Sequence, residues 1–313
     1  MTHSHDHGHD GPHGHSHGHS RAPASFGWAF GIGIALNFAF VVVGAAAGWI
    51  GHSMALIADA GHNLGDVAGL AAAWTAALLA KRAPSTRFTY GLRSSSILAA
   101  LFNAVFLLVA TGAIALEAIH RFSTPEPVAG RLVMAIAAFG IAINTATALL
   151  FLRGRHDDLN IKGAFLHMAG DAAVSAGVVL AGAAILFTGW GWIDPAMSLV
   201  VCLVIVAGTW SLLRDALNMT LHGVPPGIDP ARVSAYLAAC PGVCAIHDLH
   251  IWPMSTTETA LTAHLVYVTG HPGDEALHAI AETLRHDYAI AHTTLQVEIN
   301  PNADCALADA DVV

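Results

Sequence analysis

The chain is short of charge. Of its 313 residues only 11% are Asp, Glu, Lys or Arg, while 55% are hydrophobic. A soluble domain carries roughly 25% charged residues, so the deficit excludes an ordinary water-soluble protein and points to lipid. Basic residues are the scarcer sign, 13 against 22 acidic, for a formal net charge of −9. No basic patch or basic amphipathic helix stands out, which argues against nucleic acid as a partner. Cysteine is sparse as well. Cys202, Cys240, Cys244 and Cys305 form neither a disulfide framework nor a paired CxxC zinc ribbon. Cys202 sits in an apolar run and reads as inert; Cys240 and Cys244 read as reduced residues of a cytosolic domain. The start of the chain lacks the apolar stretch of a signal peptide, because residues 2–20 are polar and rich in histidine.

Long apolar runs are abundant. Crossing a ~30 Å hydrocarbon core takes about 20 helical residues, and six stretches qualify: 28–50, 53–80, 96–119, 132–152, 161–187 and 195–213. Their connecting segments differ in positive charge. With the N-terminus inside, the inner segments carry Arg21, Lys81, Arg82, Arg87, Arg93, Arg153, Arg155, Lys162 and Arg214, and the outer loops only Arg121 and Arg131. The asymmetry predicts that both termini face the cytoplasm.

After Arg214 the pattern changes to that of a small α+β unit. Asp229 is expected to cap a helix that ends near Cys240, before Pro241-Gly242. Strands are expected over 243–251, 258–268 and 294–299, with a helix over 274–288. The expected architecture is a membrane all-α six-helix bundle followed by a cytosolic α-β-β-α-β domain with helices on one face of its sheet. Four segments result: a disordered tail over 1–24, the membrane unit over 25–214, the α+β unit over 215–300 and a loose tail over 301–313. The first tail holds His3, His5, His7, His9, His13, His15, His17 and His19 among Gly, Ser and Asp, a composition that buries no core. It suits capture and delivery of metal better than an inert tail or an engineered tag.

Ionisable groups within the apolar runs carry the functional argument, since each costs about 2.5–3.5 kcal/mol to insert at the bilayer centre. The second run reads Ala58-Asp59-Ala60-Gly61-His62-Asn63-Leu64-Gly65-Asp66. His62 and Asp66 stand four apart and share one helix face, with Asp59 a turn earlier, behind the ligands rather than among them. The fifth run reads His167-Met168-Ala169-Gly170-Asp171, again a histidine and an aspartate four apart. Entering from opposite sides, His62 lies ~14 Å and Asp171 ~15 Å along the helix axis, so both pairs are expected near mid-membrane. Gly61, Gly65, Gly170 and Gly177 are expected to let the two helices approach. Two imidazoles and two carboxylates make a tetrahedral shell suited to Zn²⁺, less specifically to Co²⁺. Each pair could alternatively serve as interhelical hydrogen-bonding glue, but two pairs at matching depth favour a shared cation. A ligand histidine must be neutral to bind metal, and its ordinary pKa near 6.5 couples metal release to proton uptake.

Together with Arg87-Phe88-Thr89-Tyr90-Gly91 and His247-Asp248-Leu249-His250-Ile251-Trp252, these motifs resemble the cation diffusion facilitator family over nearly the whole chain. The resemblance implies a homodimer exporting cytosolic Zn²⁺, with Co²⁺, Cd²⁺ or Ni²⁺ as further substrates, in exchange for protons across a bacterial inner membrane. It implies a metallochaperone-like (ferredoxin-like) cytosolic domain, and His62, Asp66, His167 and Asp171 as the transport site. His247, His264 and Glu298 match zinc-binding positions of relatives, with His292 as their partner; the separation of His247 and His264 suits adjacent strands of a hairpin. Zn²⁺ is then both substrate and regulator, and no organic cofactor is expected. The chain departs from the family pattern at Leu92-Arg93, where relatives often carry a histidine. It also departs in the loop over 153–160, which holds only His156. Two other functions compete. A membrane zinc sensor or scaffold would bind without transport. An intramembrane zinc enzyme would need an open coordination position and a general base, whereas HExxH is absent and both HxxxD pairs fill the shell.

Overall fold

Inside lipid a backbone must satisfy its own polar groups, and a helix does so within one segment. The apolar runs accordingly form six helices: α1 (Trp28–Ile50), α2 (Met54–Ala80), α3 (Ser95–Ser123), α4 (Gly130–Phe151), α5 (Leu159–Thr188) and α6 (Ile193–Thr220). The structure, a computed structural model, describes residues 28–124, 126–151, 159–300 and 305. Within these, the side chains of 28–33, 73, 77, 150, 151 and 159–167 fall outside the description. The histidine-rich tail, the loop with His156 and most of the C-terminal tail therefore lie outside the described residues. Among those described, five helices are long and apolar enough to cross a membrane. The sixth expected span, α1, contributes a shorter apolar helix over Ile34–Ile50.

The surface of α3 shows what surrounds the bundle. Ile97, Ala104, Leu107, Thr111 and Ala118 are buried along one stripe. Phe102, Val109 and Leu116, seven residues apart, are each about 70% exposed on another. A water-soluble monomer rarely leaves so long an apolar stripe bare, and lipid covers it.

One carboxylate ties two helix ends together. Asp194, in the first turn of α6 and 1% exposed, accepts from Ser53 Oγ at 2.5 Å, Met54 N at 2.6 Å and Ala55 N at 3.4 Å. Ser53 caps α2 and accepts in turn from Leu56 N. The otherwise bare amides at the start of α2 are thus satisfied from a helix far away in sequence. Beside them, Arg121 of α3 donates to the His52 carbonyl at 2.7 Å and pairs with Glu126.

Helix packing departs from expectation at the glycines. A Cβ on Gly65 would lie 1.9 Å from Leu107 Cδ2, and one on Gly61 would lie 3.0 Å from Ile114 Cδ1, so both serve contact with α3. Gly177 faces Met197 of α6, and Gly170 faces open space. These residues do not draw α2 and α5 together; those two helices touch sparingly, whereas α5 packs along α4 and α3 along α6. The end of α6 also differs. It continues past position 214 to Thr220, because the first helix breakers after Arg214 are Gly223 and Pro225.

The α+β unit follows as α7 (Pro230–Ala238), β1 (Val243–Pro253), β2 (Thr259–Tyr267), α8 (Asp274–Asp287) and β3 (His292–Glu298). Asp229 caps α7 by accepting from Ala231 N at 2.9 Å. The sheet order is β1-β2-β3, with β1 antiparallel and β3 parallel to the central β2; α8 makes the crossover that a parallel pair requires. Val233 and Leu237 of α7, Leu261 and Leu265 of β2, and Ile280 and Leu284 of α8 form one core. The β1–β2 turn reaches the start of α3: Arg93 pairs with Glu258 at 2.5 Å, Ser94 Oγ donates to Met254 O, and Ser96 Oγ accepts from Thr256 N.

Replacing Asp194 by alanine leaves the start of α2 without its acceptor. The expected cost is about 1–3 kcal/mol, seen as a lower thermal midpoint of the detergent-solubilised protein; an unchanged midpoint would refute the shared-cap assignment.

Candidate metal centres

Helical spacing places His62 and Asp66 on one face of α2, and α5 presents Asp171 to that face. His62 Nε2 lies 3.0 Å from Asp171 Oδ1, and donor atoms of His62, Asp66 and Asp171 all fall within 4.8 Å of one another. A tetrahedral Zn²⁺ with bonds of about 2.0–2.1 Å sets its donors roughly 3.3 Å apart, so small displacements let this cradle close on such an ion. Asp171 is 2% exposed. Two carboxylates and an imidazole packed this closely in a low-dielectric bundle repel or desolvate one another unless a cation or proton intervenes. The backbone of His167 lies one turn before Asp171 on α5; its side chain is outside the described residues. Asp59, one turn before His62 on α2, is 1% exposed. Ser175 of α5 donates to it at 3.4–3.5 Å, and Asn63 donates to its carbonyl at 2.8 Å. Sequence reasoning did not single out Ser175, one turn beyond Asp171.

A second cluster lies on the sheet. Register puts His247 of β1 opposite His264 of β2, and Glu298 of β3 opposite Val266. Three side chains from three strands thereby meet on one face. His264 Nδ1 is 2.9 Å from Glu298 Oε1 and 3.1 Å from His247 Nε2, which is itself 3.2 Å from Glu298 Oε1. Cys305 Sγ, 3.7 Å from His264 Nδ1, completes the group. Burial pushes the Glu298 carboxyl up. Hydrogen bonds to Cys305 and His264, with the charge on His247, outweigh that effect and hold it below the usual glutamate value. It is therefore ionised at neutral pH, the form a metal requires.

The ladder is irregular between His247 and His250, where Asp248 takes a φ of +52°. This kink aims the Asp248 carboxylate back at the cluster: Oδ2 lies 3.4 Å from His264 Nε2, and Oδ1 lies 2.7 Å from His250 Nε2. Without metal, Nδ1 of His264 donates to Glu298; a carboxylate beside Nε2 holds the ring proton there once a cation takes the Nδ1 lone pair. Asp248 stood within a noted motif, but its role depends on a backbone conformation that spacing does not reveal.

His292 does not join this group. It opens β3, six residues from Glu298 or ~20 Å along a strand, and pairs with Ala260 rather than with the residues near His264. Its ring stands edge-on to Tyr90, 5.6 Å away. Cys305, expected in a loose tail, lies beside His264 where His292 is expected to lie.

Family models match both the helical unit and the α+β unit. The model of the cation efflux transmembrane domain matches residues 31–219, and that of the cation efflux protein cytoplasmic domain matches 225–300. The chain belongs to the cation efflux family. This cation diffusion facilitator is 36% identical to the metal cation efflux system protein CzcD of Cupriavidus metallidurans, over 88% of this chain and 87% of that one. It is 37% identical to the zinc transporter ZitB of Escherichia coli, over 86% and 87%. To the cadmium, cobalt and zinc/H⁺–K⁺ antiporter of Bacillus subtilis it is 33% identical, over 83% and 85%. A solved structure of the metal-bound C-terminal domain of the CzcD transporter is 36% identical, with a TM-score of 0.22; the match covers 23% of this chain and all of that one. The family identifies this efflux protein as a membrane transporter of metal cations and not an enzyme.

Exchanging Asp248 for asparagine, which tolerates positive φ, removes the charge behind His264. Zinc affinity at the sheet cluster is expected to fall 10–100-fold in calorimetric titration, in the component that His264→Ala abolishes. An unchanged isotherm would exclude the orienting role.

Proposed function

We propose that this efflux protein exports Zn²⁺ from the cytosol in exchange for protons, holding the ion among His62, Asp66, His167 and Asp171. The observation that carries the reading is the convergence of His62 and Asp66 from α2 with Asp171 from α5. Nitrogen and carboxylate donors in a small tetrahedral shell favour Zn²⁺, with Co²⁺ and Cd²⁺ next and Ni²⁺ a further substrate. Names of the relatives mention zinc, cadmium and cobalt, which supports metals of this group as substrates.

The exchange follows from ligand chemistry. Histidine binds metal in its neutral form, so a departing cation leaves nitrogen and oxygen bases that take up protons, and returning Zn²⁺ displaces them. Sparse contact between α2 and α5 supports alternating access, since slight movement of either helix opens or closes the cradle. Asp59, bonded to Ser175, fixes the helix pair behind it. The protein works as a homodimer in a bacterial inner membrane with both termini in the cytoplasm. The cluster of His247, His264 and Glu298 binds Zn²⁺ as a regulator, and the histidines near the N-terminus deliver metal.

Zinc flux into proteoliposomes tests the reading. Uphill accumulation driven by a pH gradient is expected, falling to the level of empty vesicles in Asp66→Ala at unchanged folding. Accumulation that persists after the gradient is collapsed would rule out proton exchange. Binding with no flux in the wild-type protein would make the chain a sensor.

A further inference from the structure

We propose that Cys305 is a thiolate ligand that closes the cytosolic cluster, so that a bound Zn²⁺ or Cd²⁺ ties the C-terminal end of the chain to the three-stranded sheet. This rests on the reading that the cluster of His247, His264 and Glu298 holds metal, and it names a fourth ligand and the consequence of binding.

The donor set supports the assignment. His247, His264 and Glu298 supply three ligands from three strands, with separations of 2.9–3.2 Å, close to the roughly 3.3 Å of a tetrahedral shell. Three protein ligands leave one position open, as in sites that exchange water or substrate; four close it, as in structural and regulatory sites. Cys305 Sγ, at 3.7 Å from His264 Nδ1, stands slightly farther off, as the longer Zn–S bond of about 2.3 Å requires. Two neutral imidazoles, one carboxylate and one thiolate offset the charge of a divalent ion. Metal binding forms four metal–ligand bonds, displaces the ion's coordinated water, and releases the thiol proton and any proton on the ligating imidazole nitrogens to solvent.

Chain topology gives this fourth ligand its meaning. Cys305 comes seven residues after Glu298, beyond the last strand, yet its sulfur lies among side chains of β1, β2 and β3. A cation held there ties Cys305 to side chains of all three strands. The cluster also differs in kind from the cradle between α2 and α5, which offers only nitrogen and oxygen. A thiolate favours soft Cd²⁺ and Zn²⁺ over Mn²⁺ or Mg²⁺, so the cytosolic unit responds to a narrower range of metals than oxygen and nitrogen donors alone would select.

Cobalt titration of the full-length protein reads both levels, because Co²⁺ gives visible d–d bands in any tetrahedral shell and an ultraviolet sulfur-to-metal charge-transfer band only with a thiolate. The wild-type protein is expected to show the charge-transfer band. Cys305→Ser should lose it while keeping d–d intensity, and His247→Ala should lose both contributions from this cluster. Zn²⁺ should also slow alkylation of Cys305 but not of exposed Cys244. If His247→Ala removes one Co²⁺ equivalent but no charge-transfer band ever appears, Cys305 is not a ligand and the three-ligand site stands. If His247→Ala changes neither stoichiometry nor spectrum, the cluster holds no metal and both readings fall.

Discussion

Charge buried in an apolar bundle needs a partner, and most of this molecule can be understood as the means of providing one. Asp66, Asp171 and His62 occupy a helical region whose outer faces are apolar, and a carboxylate there is tolerable only with a compensating proton or cation. Of the helices that carry these groups, α2 is held by α6 at its start and by α3 along its length, and α5 by α4, rather than by close packing on each other. Asp194 fixes the start of α2 against α6, and glycines of α2 press it against α3. Between α2 and α5 lie the donor atoms of His62, Asp66 and Asp171, within 4.8 Å of one another, with Asp59 and Ser175 bonded alongside.

Much of this was legible in the residues themselves. Runs of apolar residues specify helices because lipid admits little else, and the four-residue spacing of His62 and Asp66 fixes a common face whatever the tertiary fold. The α-β-β-α-β order was equally readable, since Asp229-Pro230 and Pro241-Gly242 punctuate it. Features that depend on which helix meets which were not. Gly61 and Gly65 declare close approach without naming the partner, which is α3 and not α5. The length of α6 past Arg214 was hidden because charge marks the end of an apolar run, not the end of a helix. On the sheet, His247 and His264 were singled out by the family resemblance, and their separation suits the hairpin that brings them together. The exchange of His292 for Cys305 depended on strand register and on the position of the chain end, neither of which a linear pattern encodes.

The two candidate metal centres sit on units joined by a few specific contacts. The Arg93–Glu258 pair and the bonds of Ser94 and Ser96 link the start of α3 to the β1–β2 turn. Tyr90 meets His292 at the beginning of β3, and the same strand ends in Glu298 of the sheet cluster. A change in strand geometry on metal binding thus has a short mechanical route to the cytosolic end of α3, which packs against α2 and α6.

The account stands or falls on where the transported ion rests in the membrane. Zinc-edge anomalous diffraction from crystals of the full-length protein locates it most directly. A peak between the side chains of His62, Asp66 and Asp171 is the expected result. Zinc confined to the cytosolic unit, with none bound among those side chains under saturating metal, would contradict the central claim.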